Sequence, residues 1–293
     1  MKIAAVLALA SGNEDGEQTL KMAAGLAQSC DAGLDILHVR LDPRLSVPLV
    51  GEGMAAGMVE EIMERNERDA KDRAEAARRQ AEAVASAHGQ SLQSGEGQRG
   101  EGARAKGFSI AYQEVVGSEP EELRKVAPYH DLIVLDRPDL ENDAYSTISV
   151  EGALMETGRA LLLSPPGGIE NPLGHIAIGW DGSKAATHAV AAALPLLAKA
   201  EKVTVMTIEE RGKTGDAERL TAYLARHGIA ATALHIPAEG IEAGYALLEN
   251  AATNGAHCLV MGGYGHSRLR EFIFGGATEN VLRSAGIAVL MAH

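Results

Sequence analysis

Apolar positions fall into short runs separated by longer amphipathic stretches. In the second half of the chain, "HIAIGW" (175–180) is an apolar run closed by Asp181-Gly182-Ser183, and a helical pattern follows through "KAATHAVAAALPLLAKA". A strand "KVTVMTI" (202–208), a short helix within "DAERLTAYLARHG", a strand "IAATALHI" (229–236) and a helix over 240–253 come next. "HCLVMG" (257–262) leads into a glycine-containing loop, a helix opens near Gly275, and "IAVLMA" (287–292) closes the order. Strands alternating with helices predict a parallel α/β sheet.

The first half repeats this order: "IAAVLAL" (3–9), a helix near 16–29, "LDILHV" (34–39), a long helix, "SIAYQEVV" (109–116), a helix near 119–127, "DLIVLD" (131–136) and "ALLLSP" (160–165). "GRALLLSP" overlies "GIAVLMAH" at an offset of 128, and "DLIVLD" overlies "HCLVMG" at 126. An internal duplication predicts two tandem doubly wound domains, 1–166 and 174–293, divided at the Pro/Gly-rich "PPGGIENPLG" (165–174). Within the first, residues 54–87 read as one long helix, with small or apolar residues at 58, 62, 70, 74, 77, 81 and 84. Its solvated face offers the i,i+4 pairs Glu61/Arg65, Glu64/Arg68 and Glu67/Lys71. The Gly/Ser/Gln-rich segment 89–107 reads as an inserted mobile loop.

Composition narrows the function classes. Of 293 residues 46% are hydrophobic but only 3% aromatic, while glycine reaches 33, so helices should pack on the sheet through small side chains. With 27 basic against 40 acidic residues, the net charge of −13 argues against nucleic acid or an anionic membrane as partner. The charge is uneven: residues 1–168 carry 17 basic and 28 acidic side chains, residues 169–293 carry 10 and 12. An anion is therefore repelled less by the second half. Cys30 and Cys258 match no metal or disulfide framework, which fits a reducing cytosol. "MKIAAVLALASG" has the outline of a signal peptide, but the helical pattern after it favours a buried first strand. No run approaches the roughly 20 apolar residues of a membrane span.

Candidate chemistry concentrates in "LVMGGYGHSRLREFIFGGATENVL" (259–282). In a doubly wound sheet ligands sit beyond the carboxyl ends of the strands where the strand order reverses, here between Asp181 and Gly262. Gly262, Gly263 and Gly265 permit close backbone approach, and a helix opening at Gly275-Gly276 offers unpaired N–H groups and a positive dipole end. Thr278 adds a hydroxyl in the first turn, His266, Arg268 and Arg270 offer charge, and Asp181 is an acceptor for a base or ribose. The bland alternatives stay open: a turn after a buried strand, a loop histidine, and two solvated arginines flanking Glu271. No Gly-Lys-Ser/Thr is present, and "GYGHSR" lacks the third glycine of a dinucleotide fingerprint.

The pattern Gly262-x2-Gly265-x9-Gly275 followed by Thr278-Glu279-Asn280-Val281, with "IAIGWDGS" at the start of the half, resembles the universal stress protein family (UspA-like). The resemblance covers 174–293 and, more weakly, the first half as a degenerate copy. It implies an adenine nucleotide alpha hydrolase-like fold with five strands in the order 3-2-1-4-5 in each half. It also implies an ATP-type ligand, with Mg2+, held by Asp181, Gly262, Gly265, His266, Gly275, Gly276, Ala277 and Thr278. The family pattern has Ser or Thr where this chain has Gly276. A lost charge-assisted hydroxyl contact is worth about 1–2 kcal/mol, roughly tenfold in affinity.

In the first half "DRPDLENDAYSTISV" (136–150) stands where the second has its glycine loop. Asp136, Asp139, Glu141 and Asp143 replace the glycines, and "LALASG" has no acid after its strand, so no nucleotide site is expected there. The family reading implies a cytoplasmic stress-response sensor or regulator rather than an enzyme, with unknown protein partners. Its rivals are an interaction protein that has lost nucleotide binding in both halves, and a slow ATP hydrolase, for which no general base or metal-binding carboxylate pair is evident. Family members dimerise through the apolar last strand. A tandem chain can pair its two halves as an intramolecular pseudo-dimer, and a homodimer through other surfaces stays open.

Overall fold

The computed structural model describes residues 2–42, 56–94, 107–140, 144–209, 216–237, 240–263 and 276–293. The first half contains β1 (Ala5–Leu9), α1 (Gly16–Cys30), β2 (Gly33–Leu41), α2 (Ala56–Ala87), β3 (Gln93–Ser94), β4 (Ser109–Gly117), α3 (Glu119–Val126), β5 (Leu132–Asp136), α4 (Ala144–Glu156) and β6 (Ala160–Ser164). The second contains β7 (His175–Gly179), α5 (Lys184–Leu197), β8 (Lys202–Glu209), α6 (Ala217–Arg226), β9 (Thr232–Pro237), α7 (Ala243–Thr253), β10 (Cys258–Gly262), α8 (Gly276–Ser284) and β11 (Ala288–Ala292). The duplication read from sequence reappears at the same spacing. β5 and β10 have the same length at an offset of 126, and β6 and β11 at 128.

All eleven strands join one sheet in the order β3-β4-β2-β1-β5-β6-β11-β10-β7-β8-β9. With the two-residue β3 set aside, each half runs 3-2-1-4-5 in its own strands, so the first and fourth are neighbours at the point where the order reverses. Pairing is parallel except at the join, where β6 and β11 run antiparallel with Leu161 opposite Met291 and Leu163 opposite Val289. Two apolar edges are thereby covered by each other.

Helices cover both faces, which is why the central strands are continuous apolar runs rather than alternating ones. One core layer contains Leu20 and Ala24 of α1, Ala77 and Ala81 of α2, Ala189 and Ala193 of α5, and Leu220 of α6. The other contains Leu123 of α3, Val150 of α4, Leu247 of α7 and Val281 of α8. The alanines let helices approach the sheet closely, in keeping with the few aromatics.

Three details depart from the sequence expectation. α4 was not anticipated: its apolar Ile148 and Met155 point to solvent and blur the buried stripe. Segment 89–107 is not loop throughout, because Gln93 and Ser94 pair with Ala111 and Tyr112 of β4; residues 95–106 lie outside the described residues. On α2, Glu67 meets Lys71 at 2.9 Å as expected, but Arg65 turns to Asp69 and Arg68 Nε donates to the Glu64 carbonyl. Among the described residues no helix is long and apolar enough to cross a membrane.

Candidate functional site

Two helix starts and two strand ends define the reversal point of the second half. β7 ends at Gly179, and the chain turns through Asp181, whose Oδ1 accepts from the Ser183 backbone N–H at 2.8 Å. Ser183 then caps α5, its Oγ accepting from the Ala186 N–H at 3.1 Å. An aspartate bonding two residues on, followed by a serine N-cap, is the local reason the chain passes from strand to helix here. Asp181 remains exposed and forms no ion pair among the described residues, so its carboxylate keeps acceptor capacity.

β10 reaches the same edge and ends at Gly262. A Cβ on Gly262 would lie 2.5 Å from the Ala186 nitrogen and 2.9 Å from the Ala185 side chain, so only glycine fits against the start of α5. Two further glycines tie in the other face. A Cβ on Gly179 would sit 3.0 Å from Leu247 of α7, and one on Gly244 of α7 would sit 2.5 Å from the Ala277 carbonyl of α8. Asn280 of α8 donates to the carboxylate of Glu242, at the start of α7. This run of close contacts brings the β7 end, the β10 end and the α8 N-terminus to one edge of the sheet.

Of the residues singled out from sequence, Asp181, Gly262, Gly276, Ala277 and Thr278 lie among the described residues; Gly265, His266 and Gly275 lie outside them. Gly276 is exposed, and a Cβ there would have nothing within 4 Å. Thr278 is buried at 3% exposure, against the expectation of a hydroxyl presented to a phosphate. Gly179, Gly244 and Ser183 were not singled out. Their signals were present, as a glycine closing a strand, a small residue on a helix, and a serine before a helical run. Cys258 has no nucleophilic role: it is buried in β10, and burial pushes its thiol up to about 12. Among the described residues no group of three or more His, Cys, Asp or Glu is gathered to hold a metal ion.

Residues 172–293 match the sequence profile of the universal stress protein family. That half of the chain is a universal stress protein domain. The whole chain is similar in fold to a universal stress protein from Archaeoglobus fulgidus, with a TM-score of 0.65 at 16% identity, covering 99% of this chain and 96% of that one. It is also similar to a protein of unknown function from Pseudomonas aeruginosa PAO1, with a TM-score of 0.54 at 12% identity, covering 98% and 92%. Among curated protein sequences none matches the chain.

The corresponding edge of the first half differs from that of the universal stress protein domain. It opens into a cavity of about 600 Å³ lined by the loop after β1, by the end of β5 and by α4. Asp136, the counterpart of Gly262, lines it; its Oδ2 accepts from the Ser11 hydroxyl at 2.5 Å and from Asn13 Nδ2 at 3.3 Å. Arg137, the next residue, turns away to the second half and donates from Nη1 to the carbonyls of Leu282 (3.0 Å) and Arg283 at the C-terminal end of α8.

Proposed function

We propose that the universal stress protein domain binds an adenine nucleotide of the ATP type at the carboxyl edge of β7 and β10. We further propose that the chain is a tandem of two such domains, 1–166 and 174–293, and that only the second takes nucleotide. The protein acts in the cytoplasm as a stress-linked regulator whose partner binding changes with occupancy, rather than as a turnover enzyme. The observation that carries this reading is the pairing of side-chain-free backbone with a helix N-terminus: Gly262 packed on the start of α5, and Gly276 opening α8 with free space around it. Backbone N–H groups at such a start attract phosphate oxygens. Asp181 supplies the acceptor for base or ribose. Mg2+ would arrive on the phosphates, since the described residues gather no metal-binding cluster of their own.

Isothermal titration of the full chain with ATP tests this. Heat is expected with the natural protein, and Asp181→Ala should weaken binding about tenfold, as loss of one charged acceptor does. No heat in either protein rejects nucleotide binding.

Two observations favour a second reading, an interaction protein of the same fold without nucleotide: the burial of Thr278 and the missing hydroxyl at Gly276. Absorbance and mass spectrometry of the protein as purified from cells separate the two, because a co-purifying nucleotide is expected only under the first. The antiparallel β6–β11 join supports an intramolecular pseudo-dimer, since it uses the strand edges through which two separate chains would otherwise meet.

A further inference from the structure

The two halves meet along β6 and β11, and again at the residue that follows each fourth strand. Arg137 follows β5 and Gly263 follows β10, and each touches the last helix of the other half. We propose that the first half is the positioning half of the nucleotide site. Leu154 and Arg137 hold the β10 end and α8 in the geometry that binds ligand, and occupancy is felt in α4 in return. The proposal rests on the nucleotide reading for its ligand and adds to it two positioning residues from the half without a site.

Gly263 is buried; its N–H donates to the Ala292 carbonyl at 2.9 Å, and its own carbonyl accepts from His293 Nδ1 at 3.2 Å. Its φ lies outside the left-handed region, so backbone freedom does not explain the glycine. Space does. A Cβ there would stand 2.7 Å from Cδ2 of Leu154, a buried residue of α4. Gly262 is therefore required by α5 of its own half, whereas Gly263 is required by the first half.

Arg137 is fixed at its backbone by the first half, where its N–H donates to the Ser164 carbonyl at the end of β6, at 2.9 Å. Its guanidinium crosses to the Leu282 and Arg283 carbonyls at the end of α8. That nine-residue helix is thus gripped at one end by the first half and opens at the other with Gly276.

The two contacts are one contact seen from either side. Leu154 and Leu282 each stand six residues before the last strand of their half, as Arg137 and Gly263 each follow the fourth. They are filled differently: a leucine methyl against bare backbone one way, a guanidinium on carbonyls the other. Both land on the elements that form the ligand edge of the second half. Close-packed contacts pass a displacement on rather than absorb it, and coupling between binding and a distant contact is reciprocal.

The test compares full-chain Leu154→Ala, Leu154→Met, Gly263→Ala and the pair Leu154→Ala/Gly263→Ala. Each is titrated with ATP and followed by hydrogen exchange in β10, α8, α4 and, as control, β8. Leu154→Ala should weaken ATP about tenfold, the scale on which packed networks modulate coupling. Leu154→Met, of similar volume, should stay within about twofold. Gly263→Ala should weaken ATP in the natural chain but add little once Leu154→Ala has made room, a non-additive pair. ATP should slow exchange in α4 of the natural chain and leave α4 of Leu154→Ala unchanged. Without nucleotide, Leu154→Ala should quicken exchange in β10 and α8 and spare β8. Arg137→Ala, which leaves no core cavity, should do the same in α8 and carries the test if Leu154→Ala does not fold. The proposal is overturned if ATP affinity is untouched while stability falls, if the paired losses add, or if exchange rises equally in β8. Absence of heat with the natural chain defeats the nucleotide reading instead. The nucleotide-free exchange then decides the positioning role, upheld by a rise confined to β10 and α8 and overturned by an even one.

Discussion

The fourth strand of each half ends at the same place in the fold with opposite chemistry. β10 ends in Gly262, pressed so closely on α5 that a Cβ would stand 2.5 Å from a backbone nitrogen. β5 ends in Asp136, whose carboxylate reaches across to Ser11 and Asn13 before α1. The strands beneath are equivalent in length, pairing and burial, with Val6–Leu132 and Ile176–Cys258 partners at the matching registers. One edge thus ends in a glycine packed on a helix start, while the other ends in a carboxylate that ties down the loop before α1. The two halves keep one frame through the apolar pattern and differ in chemistry through a few residues at the strand ends.

The most severe way to break this contrast is to move the first half's residue into the second. Gly262→Asp must displace Ala185 or Ala186 and buries a charge against a helix start. It should cost about 3 kcal/mol in urea unfolding and abolish ATP binding. The reverse exchange, Asp136→Gly, removes a side chain from a cavity wall and should cost clearly less. Equal losses would show that the two strand ends are packed alike.

Arg137→Ala tests how the halves are held together. Its guanidinium caps the C-terminal carbonyls of α8, where a cation also meets the negative end of the helix dipole. Hydrogen bonds from a charged donor contribute about 1.5–3 kcal/mol, so a loss of about 2 kcal/mol in denaturant unfolding is expected. A variant as stable as the natural chain would remove this contact from the list of what joins them.

Sequence carried most of the frame because central parallel strands need unbroken apolar runs, and these are visible without tertiary information. It failed where local pattern and role part company. Ile229 reads as the first residue of a strand, yet it closes α6: Gly228 takes a left-handed φ of +75° and the Ile229 N–H returns to the Leu224 carbonyl at 3.1 Å. β9 begins only at Thr232. The site was half legible. Gly262 and Asp181 follow from strand ends and the sheet rule, whereas the parts played by Gly179 and Gly244 depend on contacts with Leu247 and Ala277 far along the chain. The cavity beside Asp136 was not foreseen either, since an acidic loop reads as the absence of a phosphate site and says nothing of the space behind it.

Gly276→Ser sharpens the comparison in the other direction. The position is open, so a serine brings no clash, and it supplies a hydroxyl at the start of α8. ATP affinity should rise about tenfold by titration, with stability unchanged or slightly higher. Trp180, the single tryptophan, lies beside Asp181 and offers a fluorescence readout of the same binding. If the serine variant binds no more tightly, the α8 start does not face the phosphates.

The mildest contrast is between two buried histidines. His38 on β2 donates from Nδ1 to the Ala10 carbonyl at 2.7 Å, and its Nε2 is buried without a partner. His175 on β7 donates from Nδ1 to the Asn254 carbonyl at 3.1 Å, and its Nε2 accepts from the Thr204 hydroxyl at 2.9 Å. Burial holds both imidazoles below their usual value of 6.5. The unfolded chain therefore takes up these protons at a higher pH than the folded one. Their contribution is fully present above about pH 6.5 and is lost as the pH falls below it, by up to about 1.4 kcal/mol per unit for each histidine. His235 is shifted the other way by Glu218 but is solvent-exposed and adds little. Protonated His38 would hold a buried N–H with no acceptor, whereas protonated His175 would face the Thr204 oxygen, so His38 should dominate. Urea unfolding at pH 7.5 and 5.5 should show the acid loss shrink more in His38→Gln than in His175→Gln; equal slopes in all three proteins would place the acid sensitivity elsewhere.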